Sequence, residues 1–169
     1  VGGALHYDDW KLRYHQEVSL RKCVGEKRNI IVSTGTGSGK TECYLYPVLD
    51  ALLKEKEAGT LGPGVRALLL FPMNALANDQ QKKLRKLLHD YPDITFGRYT
   101  GETPHKGEKE TSAEAEVRLR ELYNAEHLND SDPLLRQAAP NEAMCRETMI
   151  ENPPHILLTN YAMLEYLLL

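Results

Sequence analysis

The segment Ser33-Thr34-Gly35-Thr36-Gly37-Ser38-Gly39-Lys40-Thr41 restricts the possible folds of this chain more than any other stretch in it. Glycine tolerates positive φ, so three alternating glycines let the backbone curl until successive N–H groups point inward. The apolar run Ile30-Ile31-Val32 precedes the loop and a helix-compatible segment follows it, which is the strand–loop–helix setting of a phosphate-binding loop. The partial positive charge of a helix N-terminus falls at the same place. Lys40 can then reach the β- and γ-phosphates of a nucleoside triphosphate, and the Thr41 hydroxyl can ligate Mg²⁺. One position departs from the general G-x-x-x-x-G-K-[ST] pattern: Thr34 stands where the first glycine is expected. The competing reading is a glycine turn that binds nothing, but a turn needs one or two glycines and no Lys-Thr at a fixed offset.

Four short apolar runs read as strands: Asn29 to Ser33, Val65 to Phe71, Ile94 to Tyr99, and His155 to Thr159. Their near-continuous Ile, Val and Leu content suits strands buried on both faces of a parallel sheet. Helical patterns lie between them. From Thr41 to Glu57, Tyr44, Leu45, Val48, Leu49, Leu52 and Leu53 recur at helical spacing, until the Gly59 to Gly64 cluster ends the pattern. From Ala75 to His89, Leu76, Leu84, Leu87 and Leu88 take one side, and Lys82, Lys83, Arg85 and Lys86 read as a solvated charged face. Ala113 to His127 predicts a surface helix laced by Glu114–Arg118 and Glu116–Arg120 pairs at i,i+4. The alternation predicts an α/β fold, a parallel β-sheet flanked by helices, of the P-loop NTPase kind.

At 169 residues and 41% hydrophobic content, the chain can bury one core. The net charge of −3 gives no overall basic footprint, but it is unevenly spread. Between Gly101 and Asn152 there are twelve acidic and six basic side chains, so the rest is mildly basic and a phosphate-bearing partner is allowed. The three cysteines, Cys23, Cys43 and Cys145, form no C-x-x-C pair or even framework, and reduced thiols in a cytoplasmic protein are expected. Cys43 reads as a small helix residue. No apolar run approaches the roughly 18 residues of a membrane helix, so no membrane partner is expected. His105, His127 and His155 have no metal-like spacing.

Every unusual polar sequence follows a predicted strand: Thr34 to Thr41, Pro72 to Asp79, Thr100 to Pro104, and Thr159 to Tyr161. In a parallel sheet the carboxyl ends of the strands form the ligand edge, so these sequences predict one extended rim, longer than a nucleotide needs. These stretches also carry a family resemblance. Thr34 to Glu42 resembles motif I of the superfamily 2 helicases of the DExH/DEAD type. Phe71-Pro72-Met73-Asn74-Ala75-Leu76-Ala77-Asn78-Asp79-Gln80 resembles motif Ia, Tyr99 to Pro104 resembles motif Ib, and Ile156 to Leu164 resembles motif Ic. Tyr14-His15-Gln16 fits the place of the adenine-reading glutamine. Together these motifs resemble the first RecA-like domain of that superfamily over most of the chain. The sequences at 72–80 and 157–165 are similar to those of large bacterial DExH proteins of DNA repair and antiphage defence.

The resemblance implies ATP and Mg²⁺ as cofactors, held by Gln16, Thr36, Gly37, Ser38, Gly39, Lys40, Thr41 and Glu42. Lys40 and Thr41 would act in catalysis, and Thr41 on the metal. The base would stack on one of Tyr7, Trp10 and Tyr14. It implies a backbone-directed nucleic-acid partner, DNA before RNA, on Pro72, Asn74, Ala75, Thr100, Gly101, Thr159 and Asn160. Asn74 could instead be a plain helix cap, Thr100 and Gly101 a simple turn, and Thr159 and Asn160 the cap of a helix near Tyr161. Motif II, with its Asp-Glu pair, is not found: no Asp-Glu dipeptide occurs. The expectation is therefore a core cut before motif II, which binds ATP but hydrolyses almost none without a second RecA-like domain. The expected organisation is a helical region at 1–27, a RecA-like core at 28–104, an acidic helical insertion at 105–152, and a strand with its following helix at 153–169. A P-loop NTPase that ignores nucleic acid, and a non-catalytic scaffold, are the competing readings.

Overall fold

A computed structural model describes residues 12–168. The chain parts into two compact units, one ending at Gly62 and the other beginning at Pro63, at the glycine cluster that closes the second helix.

In the first unit, α1 (Tyr14–Leu20) widens into one π-helical turn (Arg21–Gly25), and α2 runs from Lys40 to Glu57. Helix α2 buries Cys43, Leu45, Tyr46, Leu49, Leu52 and Leu53, close to the stripe its sequence predicts. The predicted strand Asn29 to Ser33 is not one: residues 27–35 have no regular structure, and Ile31 is 99% exposed. A strand exists only through its ladder, and these β-branched residues find no partner strand among the described residues.

The second unit holds a four-stranded parallel sheet in the order β1-β4-β2-β3. Its strands are β1 (Ala67–Phe71), β2 (Phe96–Arg98), β3 (Glu142–Ala143) and β4 (Ile156–Asn160). Central β4 pairs with β1 from Ala67↔Ile156 to Phe71↔Asn160, and with β2 from Phe96↔Ile156 to Arg98↔Leu158. Flanking helices are α3 (Asn74–Leu87), α4 (Ser112–Glu126), α5 (Arg146–Glu151) and α6 (Tyr161–Leu168). The core is built from Ala77, Leu84 and Leu88 with Ile94, Phe96, Ile156 and Leu158, each fully buried. Each such leucine, isoleucine or phenylalanine contributes about 1.5–3 kcal/mol on burial. Gly97 permits a close crossing, since a Cβ there would lie 2.7 Å from the Met149 Sδ of α5 and 3.1 Å from the Ala143 carbonyl oxygen.

Two charge patterns differ from expectation. Arg85 does not join the solvated face of α3; it is buried and ion-paired to Glu142 on β3, with Nε 2.6 Å and Nη2 2.8 Å from the carboxylate oxygens. Helical spacing alone put it with the lysines, and only the arrival of β3 supplies its partner. Arg118 pairs with Glu110, not Glu114, because the Glu114 carboxylate accepts the Thr111 N–H in a capping box.

The acidic stretch 105–152 is also more than helices. It supplies β3, paired in parallel with β2, and Asn141, whose amide donates to the carbonyls of Leu88, Tyr91 and Ile94. Helix α4 is not simply solvated: it buries Ala115, Leu119 and Tyr123, the first two in one cluster with Cys145.

Candidate nucleotide and nucleic-acid sites

In the first unit the phosphate loop forms as its glycines require. Gly37 and Gly39 take φ of 73° and 85°, and Gly39 is the left-handed cap from which α2 starts, with no side chain capping the helix. A Cβ at Gly35 or Gly37 would meet nothing within 4 Å, so the cradle above the loop is open. The Lys40 ammonium donates to the Thr34 and Gly35 carbonyls, 2.7 and 2.8 Å away, inside the ring of the loop. Thr34, the departure from the glycine pattern, shares a 2.6 Å hydrogen bond between its hydroxyl and that of Ser38. Its side chain therefore stitches the loop that a glycine would leave slack. Thr36 is exposed, and Thr41 and Glu42 are half-buried in the first turn of α2.

Helix α1 clasps this loop. The Gln16 side chain accepts the Arg13 N–H at 2.9 Å and donates to the Gly39 carbonyl at 3.1 Å. His15 Nε2 lies 2.9 Å from the Ser38 carbonyl oxygen, and Arg13 donates to the Gly37 carbonyl at 3.4 Å. Sequence reading missed Arg13 and His15; their adjacency to Gln16 was the one available signal. Glu42 Oε2 is buried with no hydrogen-bond partner among the described residues. Tyr14 lines a cleft of about 350 Å³ between α1 and residues 28–34. Tyr7 and Trp10, the other two candidates for stacking on a base, lie outside the described residues.

An open cradle, an uncapped helix start and an inward lysine fit a triphosphate. For a metal, the described residues hold no group of three His, Cys, Asp or Glu suited to an ion. Thr41 fits Mg²⁺ as a single ligand to an ion that arrives with the nucleotide.

In the second unit, parallel strand order brings the sequences after β1, β2 and β4 to one edge. A polar chain joins them. Asn160 donates through Nδ2 to Asn74 Oδ1 at 2.5 Å, and Arg98 donates to Glu102 at 3.1 Å. Hydrogen bonding from the Asn74 side chain, and then from Arg98, holds the Glu102 carboxyl below its usual range. Asn160 Oδ1 also accepts the Met163 N–H and so caps α6. Pro72 and Ala75 are exposed, Asn74 is half-buried, and the N-cap residue Met73 makes no side-chain hydrogen bond to the first turn of α3.

Two expected contacts change character. Thr100 is fully buried, and its hydroxyl accepts from Arg98 at 3.1 Å and from the Glu102 N–H at 3.3 Å. Thr159 is 1% exposed and donates to the Tyr99 carbonyl at 2.7 Å. Both side chains serve the sheet edge itself, which leaves the exposed Gly101 and Glu102 as the tip of the turn.

The family model of the DEAD/DEAH box helicases matches residues 13–125, and the chain belongs to that family. Among its relatives is the Druantia protein DruE of Escherichia coli (strain UMEA 4076-1), 29% identical over 92% of this chain and 12% of that protein. The ATP-dependent helicase YprA of Bacillus subtilis (strain 168) is 35% identical over 53% of this chain and 11% of its own length. The ATP-dependent RNA helicase DBP9 of Candida glabrata is 41% identical over 44% of this chain and 13% of its own length. The chain thus spans about an eighth of the relatives it matches. Among the described residues no helix is long and apolar enough to cross a membrane.

Proposed function

We propose that this chain is the ATP-binding part of a motor that couples ATP hydrolysis to movement along, or unwinding of, DNA. The carrying observation is the hydrogen-bonded edge in the second unit, where Asn74, Glu102 and Asn160 from three separate strand ends meet. A protein that handles only a nucleotide has no need of a second, elongated polar edge.

In this reading the loop residues Thr36 to Thr41 would wrap the phosphates, with Lys40 leaving its loop carbonyls for them, and Thr41 would ligate Mg²⁺, with Glu42 next to it in the first turn of α2. Gln16 holds the loop and reads adenine with the amide hydrogen that Gly39 does not take. Bound Mg²⁺ screens charge on the transferred phosphoryl group, as in other P-loop enzymes. Nucleic-acid phosphates lie on the N–H groups at Asn74 and Ala75 after Pro72, on the tip at Gly101, and on Asn160. Thr100 and Thr159 shape that edge from beneath. These are backbone-directed contacts, so binding is sequence-independent and salt-sensitive. A second RecA-like domain in the longer protein supplies the remaining catalytic groups. The stretch 105–152 is an insertion that has become integral to the second unit.

DNA rests on the resemblance of residues 72–80 and 157–165 to large bacterial helicases. An RNA strand is the second reading, favoured by the similarity to an RNA helicase. Lys40→Ala in the full-length protein is expected to abolish ATP binding in a fluorescent-nucleotide titration. Unchanged affinity would sink the assigned role of the loop. ATP turnover measured with matched DNA and RNA homopolymers then decides the strand: stimulation by RNA alone overturns the DNA reading, and stimulation by neither overturns the motor.

A further inference from the structure

We propose that Arg146 is a positioning residue for the bound nucleic-acid strand: from α5 it grips the turn after β2 from inside and fixes the tip that faces the phosphates. This rests on the reading of that edge as a nucleic-acid track.

Four contacts carry it. Arg146 Nη2 donates to the Thr100 carbonyl at 2.6 Å and Nε to the Thr103 carbonyl at 3.1 Å. Its guanidinium lies over the Tyr99 ring, 5.1 Å from the centroid. Its own N–H donates to the Pro104 carbonyl at 3.0 Å. The turn itself is knotted, since Thr103 N–H reaches the Thr100 carbonyl at 3.1 Å and Thr100 N–H reaches the Thr103 hydroxyl at 2.9 Å. With both turn carbonyls drawn inward to one cation, their negative ends point away from the strand, and the exposed Gly101–Glu102 tip is held outward. A planar guanidinium suits two carbonyls at once and stacks on the ring, which an ammonium cannot reproduce.

The same short segment grips the other nucleic-acid element. Glu142, four residues before Arg146, holds Arg85 of α3, whose first turn carries Asn74 and Ala75. Glu147, one residue after it, accepts from His105 Nδ1 at 2.8 Å and from the Lys106 N–H at 3.0 Å. Residues 142–147 therefore brace both the helix after β1 and the turn after β2. The Nε and Nη2 bonds go to the turn carbonyls, so in this proposal the guanidinium acts through the turn, and a phosphate contact through Nη1 would appear as a change in salt slope.

The test uses the full-length protein with Arg146→Met and Arg146→Lys, titrated with a fluorescent single-stranded homopolymer over a series of KCl concentrations, alongside ATP binding and thermal melting. Arg146→Met is expected to weaken strand affinity by roughly tenfold, the scale of one lost charge-assisted hydrogen bond. The slope of log affinity against log salt stays that of the wild type, because no phosphate contact is lost, and ATP affinity is unchanged. Arg146→Lys, which keeps the charge but not the fork, recovers only part of the loss, and it decides the matter if the methionine variant does not fold. Wild-type strand affinity in a folded Arg146→Met protein overturns the proposal. So does a salt slope lower by about 0.7, the mark of one lost phosphate contact on a single strand, and so does an equal loss of ATP affinity. A wild type that binds no strand overturns the underlying reading of the edge instead.

Discussion

At single residues the two sites are governed by where hydrogen-bond capacity is already committed. Gly39 shows this for the phosphate loop: a Cβ there would sit 2.4 Å from Gln16 Nε2, in a conformation at φ 85° that side chains resist. The glycine serves both the curl of the loop and the clasp from α1. Glu147 shows it in the second unit. Its carboxyl is lowered from 4.5 to about 2, chiefly by the Cys145 thiol that donates to it at 3.0 Å, with further donation from His105 and the Lys106 N–H. The folded pKa lies below the unfolded one, so the ionised form favours folding. That contribution is complete above about pH 4.5 and is lost as pH falls toward about 2. Urea unfolding at about pH 6 and about pH 3 should therefore differ less for Glu147→Gln than for the wild type. An equal gap in both proteins refutes this account.

Between elements, α3 and β3 are tied by the buried ion pair of Arg85 and Glu142. Arg85 lies over the Tyr123 ring at 4.3 Å and donates to its hydroxyl at 3.1 Å, while Tyr123 donates on to the Leu135 carbonyl at 2.8 Å. Gln81 adds a fourth member by donating to Glu142 at 2.5 Å. Removing one partner leaves a buried charge unpaired, so Glu142→Ala is expected to destabilise by about 3–5 kcal/mol. Thr111→Ala, which removes only the exposed cap of α4, should cost about 1 kcal/mol. Chemical denaturation of both variants checks the order, and equal costs would show that the pair is not the tie described.

For the molecule as a whole, the exposed segment between α2 and β1 separates two compact units. Residues 58–60 and Pro63 are exposed, and the segment is rich in glycine, the kind of site that proteases nick first. Limited proteolysis should yield a first cut within 58–66, read by mass spectrometry, and an initial cut within 105–152 would contradict the integration of that stretch into the sheet. Local chemistry was legible along the sequence: the phosphate loop, helices α2, α3 and α4, strands β1, β2 and β4, and the alternation that makes an α/β fold. These depend on backbone freedom and short-range periodicity, which neighbouring residues carry among themselves. What tertiary structure decided was partnership. It denied Asn29 to Ser33 a ladder and took Arg85 from the solvated face to Glu142. It turned Thr100 and Thr159 inward, and it set Arg146 beneath the turn at Thr100 to Thr103. Arg85–Glu142, Thr159–Tyr99 and Arg146–Thr100 join residues 57, 60 and 46 positions apart, and a hydrogen bond or ion pair at that separation leaves no period in the sequence to read.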